Sequence, residues 1–281
     1  MKPFRRNRAD APIACAIVAV RDEERHIEEL IRFLSQEGLD VVILDDGSID
    51  GTVDVAEFMR GCGVIAVHRR PRANFFSMTD LLSWKAVVAT ELPHQWFLHV
   101  DADEWLQSPG QGERLVDFIA RAEASGANCV NFQEFTFIPE PDVSEAGPIR
   151  EALLRYYHFA PSKVRLVRAF KRELIGKNIE GAGHLVVADN KRIFEECGFL
   201  RHYPVLGVSH LMFKYGHRVF DPTETAKGWH HNRLGLARYS LEIIDNGALR
   251  TLVDWKSKNF DQSVPTRYHF WQPEWADGNA I

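Results

Sequence analysis

Three short acidic segments stand out in the sequence because each follows an apolar run. They are Arg21-Asp22-Glu23, Asp45-Asp46-Gly47-Ser48 and Asp101-Ala102-Asp103-Glu104. A single segment of this kind often only stabilises the N-terminus of the next helix. Three of them on strands of one parallel sheet would meet at the carboxyl edge, where ligands of such sheets bind. The sequence therefore predicts a polar ligand site formed by these segments.

The spacing of Asp101 and Asp103 suits a divalent cation. In an extended segment the two side chains point the same way, so both carboxylates could bind one hard cation. A cation there would neutralise a diphosphate and help it to leave. The segment at Asp46 lacks this spacing, but a tight turn at Gly47 would leave a carboxylate free for a base N–H or a ribose hydroxyl. Together these features favour a bound nucleotide diphosphate.

Two common nucleotide-binding motifs are missing from the sequence. No GxGxxG follows the first apolar run, which argues against a dinucleotide-dependent dehydrogenase, and no GxxxxGK[ST] is present, which argues against a P-loop kinase. With 34 Lys and Arg against 39 Asp and Glu, the net charge is −5. A general attraction to nucleic acid is therefore not expected.

The chain carries neither a predicted membrane span nor a cysteine framework. Its four cysteines are scattered without CxxC spacing, so we expect them to be reduced and the location to be cytoplasmic. The longest apolar runs are too short to cross a bilayer. Residues 1–11 are predicted to be a flexible basic leader, which leaves at most a peripheral membrane contact.

The elements that must position the acidic segments follow an alternating strand and helix pattern, which predicts an α/β fold: a mostly parallel central sheet with helices on both faces. Strands are expected at 13–20, 41–44, 64–67, 96–100, 128–137 and 164–170, with a turn into another at 181–187. Helices are expected at 24–36, around 53–59, and at 79–91, 113–124, 210–218 and 237–246.

The predicted domain is divided into two halves. Residues 12–137 form the nucleotide-binding, Rossmann-like half. Residues 138–281 form a lid, an acceptor-binding region and a C-terminal helical region of the same domain. The lid is expected at 138–161, because this stretch carries four prolines and few apolar repeats and long loops are often functional.

The ordered set of motifs resembles the family-two glycosyltransferases of the A-type fold. It comprises Arg21-Asp22-Glu23-Glu24, Asp45-Asp46-Gly47-Ser48-Ile49-Asp50-Gly51-Thr52 and Leu98-His99-Val100-Asp101-Ala102-Asp103-Glu104-Trp105. The resemblance implies inverting transfer of a sugar from a nucleotide-diphosphate sugar, with Mn²⁺ or Mg²⁺, in cell-surface polysaccharide or glycan synthesis. The acceptor, whether glycan, lipid-linked or protein, stays open.

The resemblance also implies roles for single residues. Asp46 matches the family's base or ribose contact, Asp101 its ribose and metal contact, and Asp103 its main metal ligand. Asp22 stands where many members have Asn, and it is a further candidate for nucleotide contact. The later segment Arg201-His202-Tyr203-Pro204, with Ser209, Lys214 and Arg218, looks like a less common branch of the family. His202 there matches a histidine that completes the metal site, with His184 and His210 as alternatives.

Basic residues are needed because a leaving diphosphate carries more charge than one divalent ion cancels. Arg72 and Lys85 are the candidate donor contacts. Arg69 and Arg70 lie beside Arg72 in the sequence, and we expect at least two of these three arginines to be ordinary solvated charges.

An inverting transfer also needs a base for the acceptor hydroxyl. The resemblance places it near Glu180, with His184 as the second candidate and Glu104 as an alternative. Two other functions remain open: a nucleotidyltransferase acting on sugar phosphates, and an inactive nucleotide-sugar-binding protein.

Overall fold

The computed structural model describes residues 13–139, 147–216, 218–234, 243 and 245–277. These residues group into two compact units. The first unit takes in the described parts of Met1–Ala73, Met78–Phe132 and Leu166–Phe199. The second takes in those of Asn74–Ser77, Gln133–Arg165 and Leu200–Ile281. Residues 166–199 thus group with the N-terminal part of the chain, although they lie in the C-terminal half of the domain division predicted above.

The chain has a mixed α/β fold with a central sheet and helices around it. The strands are β1 (Ala14–Val20), β2 (Asp40–Asp45), β3 (Val64–Arg69), β4 (Trp96–Asp101), β5 (Glu104–Gln107), β6 (Cys129–Phe137), β7 (Arg155–Phe159), β8 (Leu166–Lys171), β9 (Gly198–His202), β10 (Arg250–Thr251) and β11 (Pro265–Thr266). The helices are α1 (Glu24–Gln36), α2 (Thr52–Phe58), α3 (Met78–Glu91), α4 (Leu115–Ala124), α5 (Ile149–Ala152), α6 (Val208–Tyr215) and α7 (Pro222–Ala226). No helix in these described ranges is long and apolar enough to cross a membrane.

The first unit is built on a sheet with the strand order β3-β2-β1-β4-β8-β6. The four strands β3, β2, β1 and β4 are parallel, and β8 then pairs antiparallel with both β4 and β6. Every residue of β1 is buried, as expected of a continuous apolar run covered on both faces. α1 buries Ile27, Leu30, Ile31 and Leu34 at helical spacing. The predicted strand and helix alternation of this region is confirmed.

The second unit contains the last part of β6, which pairs antiparallel with β7. β7 also pairs with β10 and β11. Its core is rich in aromatic side chains, including Tyr157, Phe159, Phe270, Trp271 and Trp275. These rings supply a large apolar area to a unit whose strands are short.

Two expectations about the later chain need correction, and a third falls largely outside the described residues. The stretch 138–161 is not one long loop, because it contains α5 and β7, and the side chains of Tyr156 and Tyr157 on β7 are buried. A lid could not include β7 without breaking its pairing to β6, so the lid stays a prediction only for residues before it, of which 140–146 lie outside the described residues. Residues 181–187 form a turn closed by the bridge between Gly181 and Leu185, without a following strand. The helix predicted at 237–246 falls largely on residues outside the described set.

Candidate active site

The carboxyl ends of the central parallel strands lie level with one another. In the sheet register, Val20 of β1 is beside Asp45 of β2, and Ala19 of β1 is beside Asp101 of β4. From β1 the chain adds β2 and β3 on one side of the sheet, and β4 then lies on the other side of β1. The order of the strands thus reverses between β1 and β4, which makes this a topological switch point. Ligands of open α/β sheets bind in the crevice outside such a point. The fold therefore brings all three acidic segments to this edge, with the segment after β1 between the other two.

Asp46 is buried and accepts hydrogen bonds from two arginines. One carboxylate oxygen is bound by the Arg21 guanidinium, and the other accepts from Nε of Arg70 at 2.6 Å. Nε of Arg21 also donates to the backbone oxygen of Asp46 at 3.0 Å. The expectation that this turn leaves a free carboxylate is therefore wrong, because a buried carboxylate needs compensating charge. Asp46 as a nucleotide contact stays a prediction.

Asp22 joins the turn after β1 to the turn after β2. Its carboxylate accepts from the backbone N–H of Ile49 at 2.8 Å and pairs with Arg72 at 2.6 Å. Its backbone lies in the left-handed region, with φ +57°, which is uncommon outside glycine and often marks a functional turn. Arg72 also donates to the carbonyl of Gly47 at 3.2 Å. Asp22 thus holds the Asp46 turn from the side of β1.

The arginines after β3 differ from the expectation. Arg69 is mostly exposed and lies 3.7 Å from Asp45. Arg70 binds Asp46 and lies over the ring of Trp84 at 4.8 Å, and Arg72 binds Asp22. Two of the three therefore have specific partners, and the prediction that at least two are merely solvated charges is wrong. Their partners are the carboxylates of Asp46 and Asp22 in the neighbouring turns.

Three cationic or polar side chains surround Asp101 at the end of β4. Lys85 from α3 lies 3.7 Å from one carboxylate oxygen, His99 lies 3.8 Å from the same oxygen, and Arg168 from β8 lies 3.8 Å from the other. Lys85 also donates to Nδ1 of His99 and to the carbonyl of Val100, both at 2.8 Å. The predicted donor contact Lys85 and the predicted metal contact Asp101 are thus neighbours.

Burial sets the protonation of this group. Burial lowers the pKa of Lys85 to about 8, against the opposing attraction of Asp101. Burial, followed by the charges of Lys85 and Arg168, holds the pKa of His99 well below its usual range. His99 is therefore neutral. Its Nδ1 accepts the hydrogen bond from Lys85, because a lysine ammonium can only donate. The site combines one neutral imidazole with two cations beside a partly exposed carboxylate.

Asp101 and Asp103 do not lie in one extended segment. β4 ends at Asp101, Ala102 and Asp103 form a turn, and β5 begins at Glu104. The alternation argument for their common direction is therefore wrong. Asp101 keeps a side-chain exposure of 30 %, whereas Asp103 is buried. Carboxylates at the last residue of β4 and in the turn that follows still offer the hard oxygen atoms that Mg²⁺ or Mn²⁺ prefers.

The candidate bases lie in the segment after β8. Glu180 is exposed, and His184 is half-buried in the turn that starts at Gly181. The carbonyl of His184 accepts from the N–H of Val167 on β8 at 2.8 Å. Glu104, the alternative base, is buried and bound by Arg168. This ion pair makes Glu104 the least suitable of the three for taking up a proton.

The remaining metal candidates belong to the second unit. His202 is buried on β9, and its Nδ1 lies 2.6 Å from a carboxylate oxygen of Glu134. Burial would raise the pKa of Glu134, but Arg165 and His202 outweigh it and hold the pKa well below its usual range. The pair fixes the imidazole orientation, as a carboxylate does for many metal-ligating histidines. His210 on α6 accepts from the N–H of Leu206 at 3.2 Å through Nδ1. The assignment of His202 stays a prediction.

Sequence reasoning missed Arg168 and His99 as members of the site. Both lie inside apolar runs that were interpreted only as strands. A charged residue at 168 within the run Leu166 to Phe170 was the available signal, since a fully buried arginine is rare unless it is paired. Arg21 was also seen only as part of an acidic segment, although it binds Asp46.

Comparisons with known proteins find similar solved structures but do not assign the chain to a family. No protein-family model matches the sequence, and no curated protein does either. The chain is similar to S. aureus TarS 1-349 in complex with UDP-GlcNAc, with a TM-score of 0.46 and 11% identity over 73% of this chain and 66% of that one. It is similar to glucosyl-3-phosphoglycerate synthase from Mycobacterium tuberculosis in complex with Mn²⁺, UDP and phosphoglyceric acid, with a TM-score of 0.34 and 17% identity over 58% and 57%.

A putative glucose-1-phosphate thymidylyltransferase from Bacillus anthracis is also similar, with a TM-score of 0.31 and 10% identity over 57% of this chain and 64% of that one. The chain spans 36% of the longer S. aureus TarS structure. It thus covers between about a third and two thirds of these proteins. Similarity at this level does not carry an activity over to this chain.

Proposed function

We propose that this chain is an inverting glycosyltransferase that moves a sugar from a nucleotide-diphosphate sugar to an acceptor in cell-surface polysaccharide or glycan synthesis. The observation that carries the proposal is the meeting of acidic and basic side chains at one edge of the sheet, on both sides of the switch point between β1 and β4. A nucleotide diphosphate presents hydroxyl and base donors at one end and two phosphates at the other. Carboxylates suit the first and cations suit the second, and the edge carries both kinds of group.

The proposal assigns roles by chemistry. Asp22 and Asp46 are assigned to the nucleoside, and Arg72 and Lys85 to the phosphates. Asp101 and Asp103 would hold Mg²⁺ or Mn²⁺, with His202 as the third protein ligand. The cation would supply Lewis-acid stabilisation of the leaving diphosphate.

Glu180 is the proposed base. It is exposed, and no hydrogen bond or ion pair of its side chain occurs among the described residues. Its exposed carboxylate is accessible to an acceptor hydroxyl, whereas Glu104 is held by Arg168. Glu180→Gln should lower kcat for sugar transfer by about 10²-fold and leave the donor KM close to that of the parent. His184→Ala, tested in parallel, decides between the two candidates.

The test of the whole proposal is a thermal-shift screen of nucleotide sugars and nucleotide diphosphates, with and without Mn²⁺. The expected result is that one nucleotide raises Tm and that Mn²⁺ enlarges the rise. Asp103→Ala should remove the Mn²⁺-dependent part and keep the parent fold. Asp54→Ala is the matched control, because Asp54 is an exposed acid on α2.

Product analysis separates the alternatives. Release of nucleoside diphosphate from a nucleotide sugar supports the transferase. Release of pyrophosphate from a nucleoside triphosphate and a sugar phosphate would instead identify a nucleotidyltransferase, and binding without any turnover would identify an inactive binding protein. Mn²⁺ titrations of His202→Ala, His184→Ala and His210→Ala then identify the third ligand as the variant with the weakest Mn²⁺ binding.

A further inference from the structure

We infer that Arg168 is a positioning residue, which holds the turn Gly181–His184 against the Asp101 and Glu104 side of the site. The inference rests on the proposed function, because it concerns the distance between Asp101 and the candidate bases Glu180 and His184. All the groups involved lie in the first unit. The turn is strained, it is attached at several points, and Arg168 connects it to Asp101 and Glu104.

The turn has a conformation that its own residues do not favour. The N–H of His184 donates to the carbonyl of Gly181 at 2.9 Å, and the two residues between them both have positive φ, +51° at Ala182 and +77° at Gly183. This is the pattern of a type I′ turn. Glycine adopts it freely, but alanine does so only against steric repulsion. Contacts from the rest of the unit therefore stabilise the turn.

Those contacts come from β8 and β4. The carbonyl of His184 accepts from the N–H of Val167, and the carbonyl of Gly183 accepts from the Arg168 guanidinium at 3.0 Å. Gly183 also packs directly on His99, since a Cβ added at this glycine would lie 2.8 Å from Nε2 of His99. Consecutive carbonyls of the turn are thus bound by consecutive residues of one strand.

The same guanidinium also lies beside the carboxylates of Glu104 and Asp101. Its second terminal nitrogen binds Glu104 and lies 3.8 Å from a carboxylate oxygen of Asp101. Arg168 is fully buried, so the group cannot turn to water without disturbing the core. A planar guanidinium can bind two partners at a fixed angle, whereas a lysine ammonium on a flexible stem cannot reproduce that geometry. Arg168 therefore fixes the turn that carries His184, and the adjoining Glu180, relative to Asp101.

The main test variant is Arg168→Lys, which keeps a cation opposite Glu104 but loses the two-pronged geometry. The matched control is Arg172→Lys. Arg172 also binds backbone carbonyls, those of Leu92 and His94, but it does so next to the other end of β8. Hydrogen exchange of the peptide covering 178–186 reports on the turn, and nucleoside diphosphate release from the donor reports on catalysis.

The expected result for Arg168→Lys is exchange at least ten times faster in the turn, together with a fall in kcat of about 10²-fold and a donor KM within threefold of the parent. A misplacement of about 1 Å is enough for a loss of that size. Arg172→Lys should leave both measurements at parent values. If Arg168→Lys does not fold, the double variant Arg168→Met with Glu104→Gln removes both charges of this ion pair, and its expected result is the faster exchange in the turn, with unchanged exchange overturning the attachment.

The outcomes are separable. Unchanged exchange in the turn overturns the attachment by Arg168. Faster exchange with unchanged kcat overturns the positioning role, because the contact would then be structural only. If the parent protein releases no nucleoside diphosphate from any donor, the proposed function itself fails, whatever the exchange of the variant shows.

Discussion

Replacing Asp46 by Asn tests the charge arrangement of the strand-end turns most directly. The carboxylate is buried and is bound on one oxygen by Arg21 and on the other by Arg70. Asn keeps the shape and one acceptor oxygen, but its NH₂ group would face one of the two guanidinium groups. The substitution therefore leaves a donor opposite a donor and a cation without its counter-ion.

The magnitude depends on how well water can replace the lost partner. Removing one member of a buried ion pair costs about 3–5 kcal/mol. The Arg21 side chain is 11 % exposed and falls in that class, whereas the Arg70 side chain is 30 % exposed and is partly screened by solvent. We therefore expect Asp46→Asn to lower the free energy of unfolding by about 2–4 kcal/mol, most of it through Arg21.

The assay is urea unfolding at pH 7 followed by tryptophan fluorescence, with the m-value checked for a change in unfolding behaviour. Asp54→Asn, on an exposed acid, is the control and should stay within about 0.5 kcal/mol of the parent. Arg21→Met and the double variant with Asp46→Asn complete a cycle, in which a coupling energy of at least about 1.5 kcal/mol is expected. A loss below about 0.5 kcal/mol for Asp46→Asn, with no coupling to Arg21, would refute the reasoning.

This prediction also changes how donor kinetics must be interpreted. A raised donor KM in Asp46→Asn follows from a lost nucleotide contact, but it also follows from a displaced Arg21. Arg21→Met separates the two, because it removes the arginine and keeps the carboxylate. If Arg21→Met raises KM as much as Asp46→Asn does, Asp46 acts through the arrangement of the turn.

Gly47→Ala should destabilise the protein by more than about 2 kcal/mol, because φ is +77° there and a Cβ would lie 2.4 Å from backbone atoms of Arg72. Gly112→Ala, at φ +72° with open space around it, should cost only about 1–2 kcal/mol by the same denaturation assay, and equal losses would contradict the close approach. Among the described residues, burial lowers the pKa of His99, His158, His230 and His269. The unfolded chain then binds more protons than the folded one as pH falls below about 6.5. The free energy of unfolding should therefore decrease from pH 7.5 to 5.5, and it should decrease less steeply in His230→Asn. Identical slopes for the variant and the parent would disprove the contribution of His230.

Much of the site's location could be inferred from local pattern. The apolar run at β1 and the period of α1 are properties of neighbouring residues, and both elements formed where predicted. The acidic segments after β2 and β4 reach the same sheet edge because parallel strands connected by helices place their carboxyl ends together. The sequence by itself therefore determined the α/β fold and the edge at which the site lies.

Only the tertiary structure decided which charges pair at that edge. Arg168 is 64 residues from Glu104 in the chain and meets it because β8 inserts antiparallel beside β4, a pairing without a local sequence signal. Arg21 and Arg70 likewise bind Asp46 from the segments that follow two different strands, so the carboxylate is not free as the turn residues had predicted. Buried charges find partners by proximity in the folded chain, since desolvation penalises any that stay unpaired. Those partners depend on strand order and register, which are properties of the whole sheet and not of any one segment.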